Sequence, residues 1–293
     1  MAKVNKAQFT VKGLPKGTRL DRVLRDQFPR WGRQAVQQTI SAQKVRLNGR
    51  IVRLSSWEVR NGDHIEVLDP PQEKVEAAST FDPKWIVADT KEFLVVNKPA
   101  GLLSEGTRFS ETPGLLELAK SQFGELHLFH RLDRDTSGLV LLTRPGEINK
   151  LLDEAFKNRT VLKQYMAVVK VPNGLAREGT IVERIGPHPE RRDKMAIVPR
   201  GGLPAVTRYE LMDEQAGKQL VKLWPETGRT HQLRVHLAHL NAPILGDRLY
   251  GGGVKEHARL LLHAQKLELP EAMEASIRSF EAPLPAGFWP PGK

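Results

Sequence analysis

The segment from His130 to Thr143 reads HRLDRDTSGLVLLT, a charged and polar run that passes through a Ser-Gly pair into four consecutive apolar residues. A short apolar run after turn residues is typical of a buried strand, which we place at Leu139–Thr143. Polar loops on a rigid strand often carry catalytic or binding groups. Here Asp133 lies between two arginines, which would keep it ionised. Charge alone favours an ordinary surface salt-bridge cluster.

Residues 84–293 alternate short apolar strands with a few helical stretches and lack the βαβ rhythm of a doubly wound parallel sheet. Further strands are predicted at Trp85–Ala88, Phe93–Val96, Gln164–Val169, Ala205–Leu211, Gln219–Trp224 and Arg259–Leu269. Helical spacing of apolar residues predicts helices at Glu147–Lys157 and Thr230–Leu240. The expected fold class is α+β, with a catalytic domain built on a largely antiparallel mixed sheet with flanking helices.

Residues 15–67 form a smaller unit with its own pattern. Apolar spacing predicts a first helix capped by Thr18 and a second helix over residues 32–42. Strands are predicted at Lys44–Leu47, Ile51–Leu54 and His64–Val67. Asn48-Gly49 is a signal for a type I′ hairpin turn. The sequence thus predicts a small α/β-hairpin domain, joined to the rest by a proline-bearing linker at residues 68–83.

The net charge of +11 and a pI near 9.9 make a polyanion the natural partner. The excess is concentrated between Pro15 and Glu66, where eleven Lys and Arg face five acids and supply +6 of the total. This distribution favours nucleic-acid binding by the small domain. A solvated basic helix pair without a ligand would have the same composition.

Several classes of protein are excluded by composition. The chain has no cysteine, which excludes disulfides, cysteine-based metal sites and thiol nucleophiles and fits a cytosolic protein. No apolar run approaches the roughly 18 residues of a membrane span. The N-terminal segment has no apolar stretch typical of a secretory signal. We expect a cytoplasmic protein without a membrane partner.

Residues 17–67 resemble the RNA-binding domain named after a ribosomal small-subunit protein, the "S-four" type. The resemblance rests on Arg19-Leu20-Asp21, the Val45…Asn48-Gly49 strand and turn, and Gly62-Asp63. Trp31-Gly32-Arg33 departs from the serine and further basic residue that family members usually carry at the start of the second helix. The resemblance implies RNA contacts by five basic residues: Arg19, Arg22, Arg33, Lys44 and Arg46.

The segment HRLDRDTSGLVLLT closely resembles the signature of the RluA-type pseudouridine synthases. Further matches follow in the expected order over about residues 84–285. They are Lys163–Val169, Ile185-Gly186…Met195-Ala196, Pro204–Thr207, Gly228–His236, Pro243–Asp247 and Leu262–Ala264. The resemblance implies that Asp133 is the catalytic carboxylate, that Tyr165 stacks on the uracil and that Arg234 pairs with Asp133.

The same resemblance implies RNA contacts around the reacting uridine, with Arg131 helping to evict the target base. Three further residues of the matched motifs are expected at the RNA: His130, Arg229 and His231. The implied reaction breaks the glycosidic bond of uridine, turns the uracil and rejoins it through carbon to the ribose, with no cofactor and no metal. Asp133 could attack the ribose, add to the uracil ring or remove a ribose proton.

The target is expected to be large-subunit ribosomal RNA, with transfer RNA as the other option and a monomeric enzyme as the acting species. This target rests on family analogy. Taken alone, Tyr165 reads as an ordinary core aromatic and Arg234 equally well as a structural salt-bridge partner. His231, His236 and His239 do not have the HExxH spacing of a metal site.

Two other functions are compatible with parts of the sequence. A non-catalytic RNA-binding or ribosome-associated protein would have no reason to keep Asp133, Tyr165 and Arg234 together. A hydrolase using Asp133 with Asp135 is disfavoured, because the two carboxylates of a glycosidase normally face each other across the substrate, and these two lie only two residues apart in one loop.

Overall fold

The described residues of the N-terminal unit form two antiparallel sheets and two helices in the computed structural model. The structure describes residues 6–15, 17–28, 31, 33–68, 80–106, 112–171, 174–251, 257, 259–271, 273 and 278–290. The chain divides into two compact units, residues 1–76 and 77–293. Residues 69–79, most of the predicted linker, lie outside the described residues. No helix in the described part of the chain is long and apolar enough to cross a membrane.

The elements of the N-terminal unit are β1 (Lys6–Thr10), β2 (Thr18–Arg19), α1 (Leu20–Gln27), α2 (Arg33–Ser41), β3 (Val45–Leu47), β4 (Arg50–Ile51), β5 (Glu58–Val59) and β6 (His64–Leu68). One sheet has the order β1-β6-β3-β4, and β2 pairs with β5. The helices bury Leu20, Leu24 and Ile40 against Val45 and Ile65 of the larger sheet. This burial explains the helical spacing of apolar residues in α1 and α2.

Asn48 and Gly49 both have positive φ, 50° and 81°, as a type I′ turn requires, so the predicted hairpin is confirmed. Its return strand is shorter than predicted and ends at Ile51. The predicted cap was wrong: Arg19 is the N-cap residue, and Thr18 Oγ1 instead donates to the Pro15 carbonyl oxygen at 2.7 Å. The strand β1 was not predicted.

The C-terminal unit begins with a 3-10 turn at Pro83–Trp85. It then contains β7 (Ile86–Asp89), β8 (Phe93–Lys98), α3 (Leu115–Phe123), β9 (His127–Leu128), β10 (Ser137–Thr143), α4 (Ile148–Lys157), β11 (Leu162–Lys170), β12 (Glu178–Pro187), β13 (Met195–Ile197), β14 (Leu203–Gln215), β15 (Lys218–Pro225), α5 (Gln232–His239), β16 (Leu262–Glu268) and β17 (Ser279–Glu281). An eleven-stranded sheet has the order β13-β12-β14-β15-β11-β16-β10-β8-β7, with β17 beside β16 and β9 beside β10.

Among the described strands of this sheet, β10 and β16 run parallel and all other pairings are antiparallel. The predicted α+β class with a largely antiparallel mixed sheet is therefore confirmed. The strand predicted to begin at Arg259 begins at Leu262. Neither α3 nor β12 was predicted; on β12 Ile181 is buried while Val182 is 68% exposed.

The strand β10 is buried on both faces, which explains its continuous apolar sequence. Leu139 and Leu141 pack with α4, whereas Val140 and Leu142 pack with α3, because successive side chains point to opposite faces. Gly138, with φ of 116°, lets β16 approach closely: a Cβ there would lie 2.2 Å from the Ala264 carbonyl oxygen. The loop before β10 is therefore attached to a strand in the centre of the core.

Two histidines buried in this core make stability pH-dependent. The Nδ1 atoms of His236 and His263 lie 3.0 Å and 2.9 Å from the hydroxyls of Thr207 and Ser137, and both rings are fully buried. Burial lowers the pKa of each to about 4. A free imidazole titrates near 6.5, so the unfolded chain binds more protons below that pH.

The free energy of unfolding should therefore be highest above about pH 6.5 and fall as pH decreases towards 4, by about 2 kcal/mol per ring between pH 8 and pH 5. Urea unfolding at several pH values measures this dependence. His236→Gln should reduce its slope, whereas His127→Gln, on an exposed position of β9, should leave it unchanged. Equal slopes for wild type and His236→Gln would contradict the assignment.

Candidate active site

The loop that carries Asp133 is fixed to the end of β8 by buried polar groups. Lys98, the last residue of β8, is fully buried. Its Nζ donates to three backbone oxygens, those of Pro99 at 3.0 Å, Leu102 at 2.7 Å and Arg134 at 3.1 Å. Burial lowers the pKa of Lys98 to about 7, although Asp135 and Asp133 raise it. Ser104 Oγ also accepts the N–H of Leu132 at 2.9 Å. The backbone is thus held on both sides of Asp133.

Asp133 and Asp247 share one buried arginine. Arg234 donates from Nε and Nη2 to the two carboxylate oxygens of Asp247, both at 2.8 Å, and from Nη1 to Asp133 Oδ2 at 3.0 Å. The side chains of Arg234 and Asp247 are 7% and 0% exposed, and that of Asp133 is 27% exposed. Burial by itself would lower the pKa of Arg234, but the two carboxylates raise it above its ordinary value. The result is one solvent-accessible carboxylate backed by a fixed cation.

Asp247 was not singled out by the sequence analysis, although it lies in a matched motif. Besides Arg234, its Oδ1 accepts the N–H groups of Leu249 at 3.0 Å and Tyr250 at 3.2 Å. The bidentate geometry leaves Arg234 little rotational freedom, so Asp247 determines where Nη1 meets Asp133. Lys98 was not singled out either.

Tyr165 lies on β11 opposite Leu223 of β15 and packs between two clusters of the core. The β11–β16 register shifts between Gln164 and Tyr165, and such bulges redirect side chains next to active sites. Burial and then the charge of Asp133 raise the pKa of Tyr165 above its ordinary value, so the phenol stays protonated near neutral pH. Tyr165 therefore lies in the core and close enough to Asp133 for the carboxylate charge to act on the phenol.

The three histidines around α5 diverge. His231 lies at the site, with Nε2 3.8 Å from Asp133 Oδ2. His236 faces Thr207 in the core, and His239 Nε2 lies 3.4 Å from Glu183 Oε1. Their side chains therefore lie in three different environments.

The other residues expected to contact RNA near the site differ in their exposure and in their contacts. Arg131 is exposed beside Asp133 in the loop. His130 instead packs its ring on Phe156 at 5.6 Å, and its Nε2 accepts the Leu141 N–H at 3.1 Å. Burial lowers the pKa of His130 to about 3, which favours a structural role. Arg229 is half-buried, and its Nε donates to the Pro204 carbonyl oxygen at 3.0 Å.

The five basic residues expected to contact RNA in the N-terminal unit differ in exposure. Arg19 and Arg22 are exposed and lie near acids of α1: Arg19 Nε is 3.1 Å from Asp21, and Arg22 Nε is 3.9 Å from Asp26. Arg33 is exposed, whereas Lys44 and Arg46 are half-buried. Their contribution to binding stays a prediction.

Each of the two units matches a known protein family. Residues 92–239 match the family described as RNA pseudouridylate synthase, and residues 18–65 match the S4 domain. The ribosomal large subunit pseudouridine synthase D of Haemophilus ducreyi is 30% identical over 297 residues, covering 93% of this chain and 89% of that protein.

Two human structures are also similar. RNA pseudouridylate synthase domain containing 1 gives a TM-score of 0.58 at 29% identity, covering 68% of this chain and 82% of that one. RNA pseudouridylate synthase domain containing 4 gives 0.55 at 31% identity, covering 70% and 90%. The family match spans half of the chain and includes the loop of Asp133 and the helix of Arg234. The chain belongs to the RNA pseudouridylate synthase family, as an enzyme of the RluA type that carries an S4 domain ahead of its catalytic domain.

Proposed function

We propose that this enzyme converts specific uridines of large-subunit ribosomal RNA to pseudouridine in the cytoplasm, with Asp133 as the catalytic carboxylate. The observation that carries the proposal is the Asp247–Arg234–Asp133 chain, in which Asp133 is the accessible member. The target is inferred from the name of the Haemophilus ducreyi relative, a ribosomal large subunit pseudouridine synthase.

The reaction is an isomerisation within one nucleotide. The bond from N1 of the uracil to C1′ of the ribose breaks, and a bond from C5 to C1′ forms. The proton on C5 is lost, and N1 gains one. Asp133 supplies the negatively charged oxygen for this exchange, and Arg234 holds that oxygen in one orientation. The half-buried position of Asp133 limits its access to water, which strengthens its electrostatic interactions.

A uridine in folded RNA must leave its stack before Asp133 can reach it, at a cost of a few kcal/mol. The exposed side chain of Arg131, two residues before Asp133, is the group proposed to enter the vacated space and to bind phosphates. Tyr165 is proposed to stack on the uracil, which recovers about 1–3 kcal/mol per base. Since its phenol stays protonated, Tyr165 acts by packing and hydrogen bonding.

The experiment uses three unmodified transcripts: large-subunit ribosomal RNA, small-subunit ribosomal RNA and a transfer RNA pool. Each is incubated with the enzyme, and pseudouridine is mapped by carbodiimide-dependent stops of reverse transcription. New stops confined to the large-subunit RNA support the proposal. Stops in transfer RNA alone would reassign the target. No stops on any of the three, from protein that still binds RNA, would favour a non-catalytic RNA-binding protein.

The N-terminal unit is proposed to supply electrostatic affinity for the RNA. Deletion of residues 1–76 should weaken RNA binding and flatten the dependence of log K on log salt, because phosphate contacts release counterions. Filter binding at several salt concentrations measures both effects, and circular dichroism checks that residues 77–293 stay folded. Unchanged affinity and salt dependence would remove this role from the unit.

A further inference from the structure

A second group besides Arg234 lies next to the carboxylate of Asp133. His231 Nδ1 lies 3.0 Å from the hydroxyl of Tyr250, and its Nε2 lies 3.8 Å from Asp133 Oδ2. The Tyr250 hydroxyl oxygen accepts the backbone N–H of Met195 at 2.9 Å. The hydroxyl proton is then free to point at His231 Nδ1. In this arrangement the neutral imidazole carries its proton on Nε2, on the side of Asp133.

The backbone conformation of His231 indicates a specific role for its ring. His231 is the N-cap residue of α5 with φ of 56° and ψ of 18°, in the left-handed region that non-glycine residues rarely adopt. Polar residues at this position usually accept a hydrogen bond from the helix backbone. The side chain of His231 makes no such cap hydrogen bond. Conformations of this kind are enriched at active sites. Here the conformation places the ring between Tyr250 and Asp133.

The environment of His231 keeps the ring neutral near pH 7. Burial lowers its pKa below the ordinary value, and Arg234 lowers it further. The carboxylates of Asp133, Asp247 and Asp193 act in the opposite direction without reversing the shift. Tyr250 stays protonated, because burial raises its pKa to about 12. The ring thus gains its charge only in acid.

We propose that the Tyr250–His231 pair positions the Asp133 carboxylate for catalysis, and that protonation of His231 makes this carboxylate less reactive in acid. This inference rests on the proposed role of Asp133. Neutral His231 directs an N–H dipole at Oδ2 and leaves Arg234 as the single full charge beside the carboxylate. An imidazolium would add a second cation next to Oδ2, which makes Asp133 a weaker base and nucleophile.

The test compares single-turnover rates and KM between pH 5 and pH 8 for wild type and His231→Asn. Asparagine tolerates positive φ, so the backbone is retained, but its shorter side chain carries no titratable ring. The rate constant at pH 8 should fall by roughly 10- to 100-fold with KM changed by less than about 3-fold. The decline of the wild-type rate in acid should disappear.

Two further variants complete the design. Tyr250→Phe keeps the ring but removes the hydroxyl, and it should lower the rate at pH 8 and shift the acid decline. His239→Asn, on the exposed side of the same helix, is the matched control and should retain the wild-type profile. If His231→Asn does not fold, Tyr250→Phe carries the test.

The outcomes separate this inference from the proposed function. A wild-type rate and an unchanged acid decline in His231→Asn, with Asp133→Asn inactive, would overturn the inference and leave the role of Asp133 intact. A raised KM with an unchanged rate constant would make His231 an RNA contact and also overturn it. Activity in Asp133→Asn would instead remove the proposed function itself.

Discussion

Asp133→Asn should lower the rate of pseudouridine formation by roughly 10,000-fold and change RNA affinity by less than about 3-fold. The substitution keeps the shape of the side chain but removes the anionic oxygen that Arg234 Nη1 binds at 3.0 Å. Arg234 retains its bidentate partner Asp247, so the protein should remain folded. Carbodiimide mapping gives the rate, and filter binding gives the affinity.

Asp135→Asn is the matched control. Asp135 lies in the same loop, is 43% exposed and binds Arg134 rather than Arg234. Its loss removes one surface ion pair, which contributes at most about 1 kcal/mol. The rate should stay within about 3-fold of wild type. A strong loss of rate in Asp135→Asn, together with an active Asp133→Asn, would assign the catalytic role to Asp135 and contradict the proposal.

Asp247→Ala should have the largest effect on stability, about 3 kcal/mol, because it leaves the buried guanidinium of Arg234 with Asp133 as its remaining carboxylate. For a unit of about 200 residues, this corresponds to a decrease in Tm of roughly 10 °C. Activity should fall as well, since Arg234 Nη1 would no longer be fixed beside Asp133. Thermal unfolding and the rate of pseudouridine formation measure the two effects.

Glu226→Ala is the control for this second experiment. Glu226 pairs with Arg208 at 3.3 Å, but both side chains are at least half exposed. Its removal should cost less than about 1 kcal/mol and leave the rate unchanged. Similar decreases in Tm for Asp247→Ala and Glu226→Ala would mean that the buried arrangement of Arg234 adds no stability.

The sequence was most informative where local pattern and tertiary structure agree. The apolar run after the Asp133 loop is β10, and its lack of alternation reflects burial on both faces. The pairing of Arg234 with Asp133 followed from the resemblance, since 101 residues separate the two positions. No local pattern indicates such a contact.

Other features depended on contacts that local sequence patterns do not reveal. Lys98 ends an apolar strand, and only the fold brings the Arg134 carbonyl to its Nζ. The sequence predicted His231 only as an RNA contact, because its left-handed backbone and its distance to Asp133 depend on α5 meeting the loop. Most of β12 is partly exposed, which weakens its apolar signal.

The parallel pairing of β10 with β16 has a consequence during synthesis on the ribosome. Ser137 and His263 are 126 positions apart in the sequence, so β10 leaves the ribosome long before its partner exists. At about 5–20 residues per second, that delay is roughly 6–25 s. The N-terminal unit can form its local contacts as soon as it has been synthesised. The strand that supports the Asp133 loop, β16, is synthesised only later. A nascent chain that can already bind RNA would therefore precede one that can modify it.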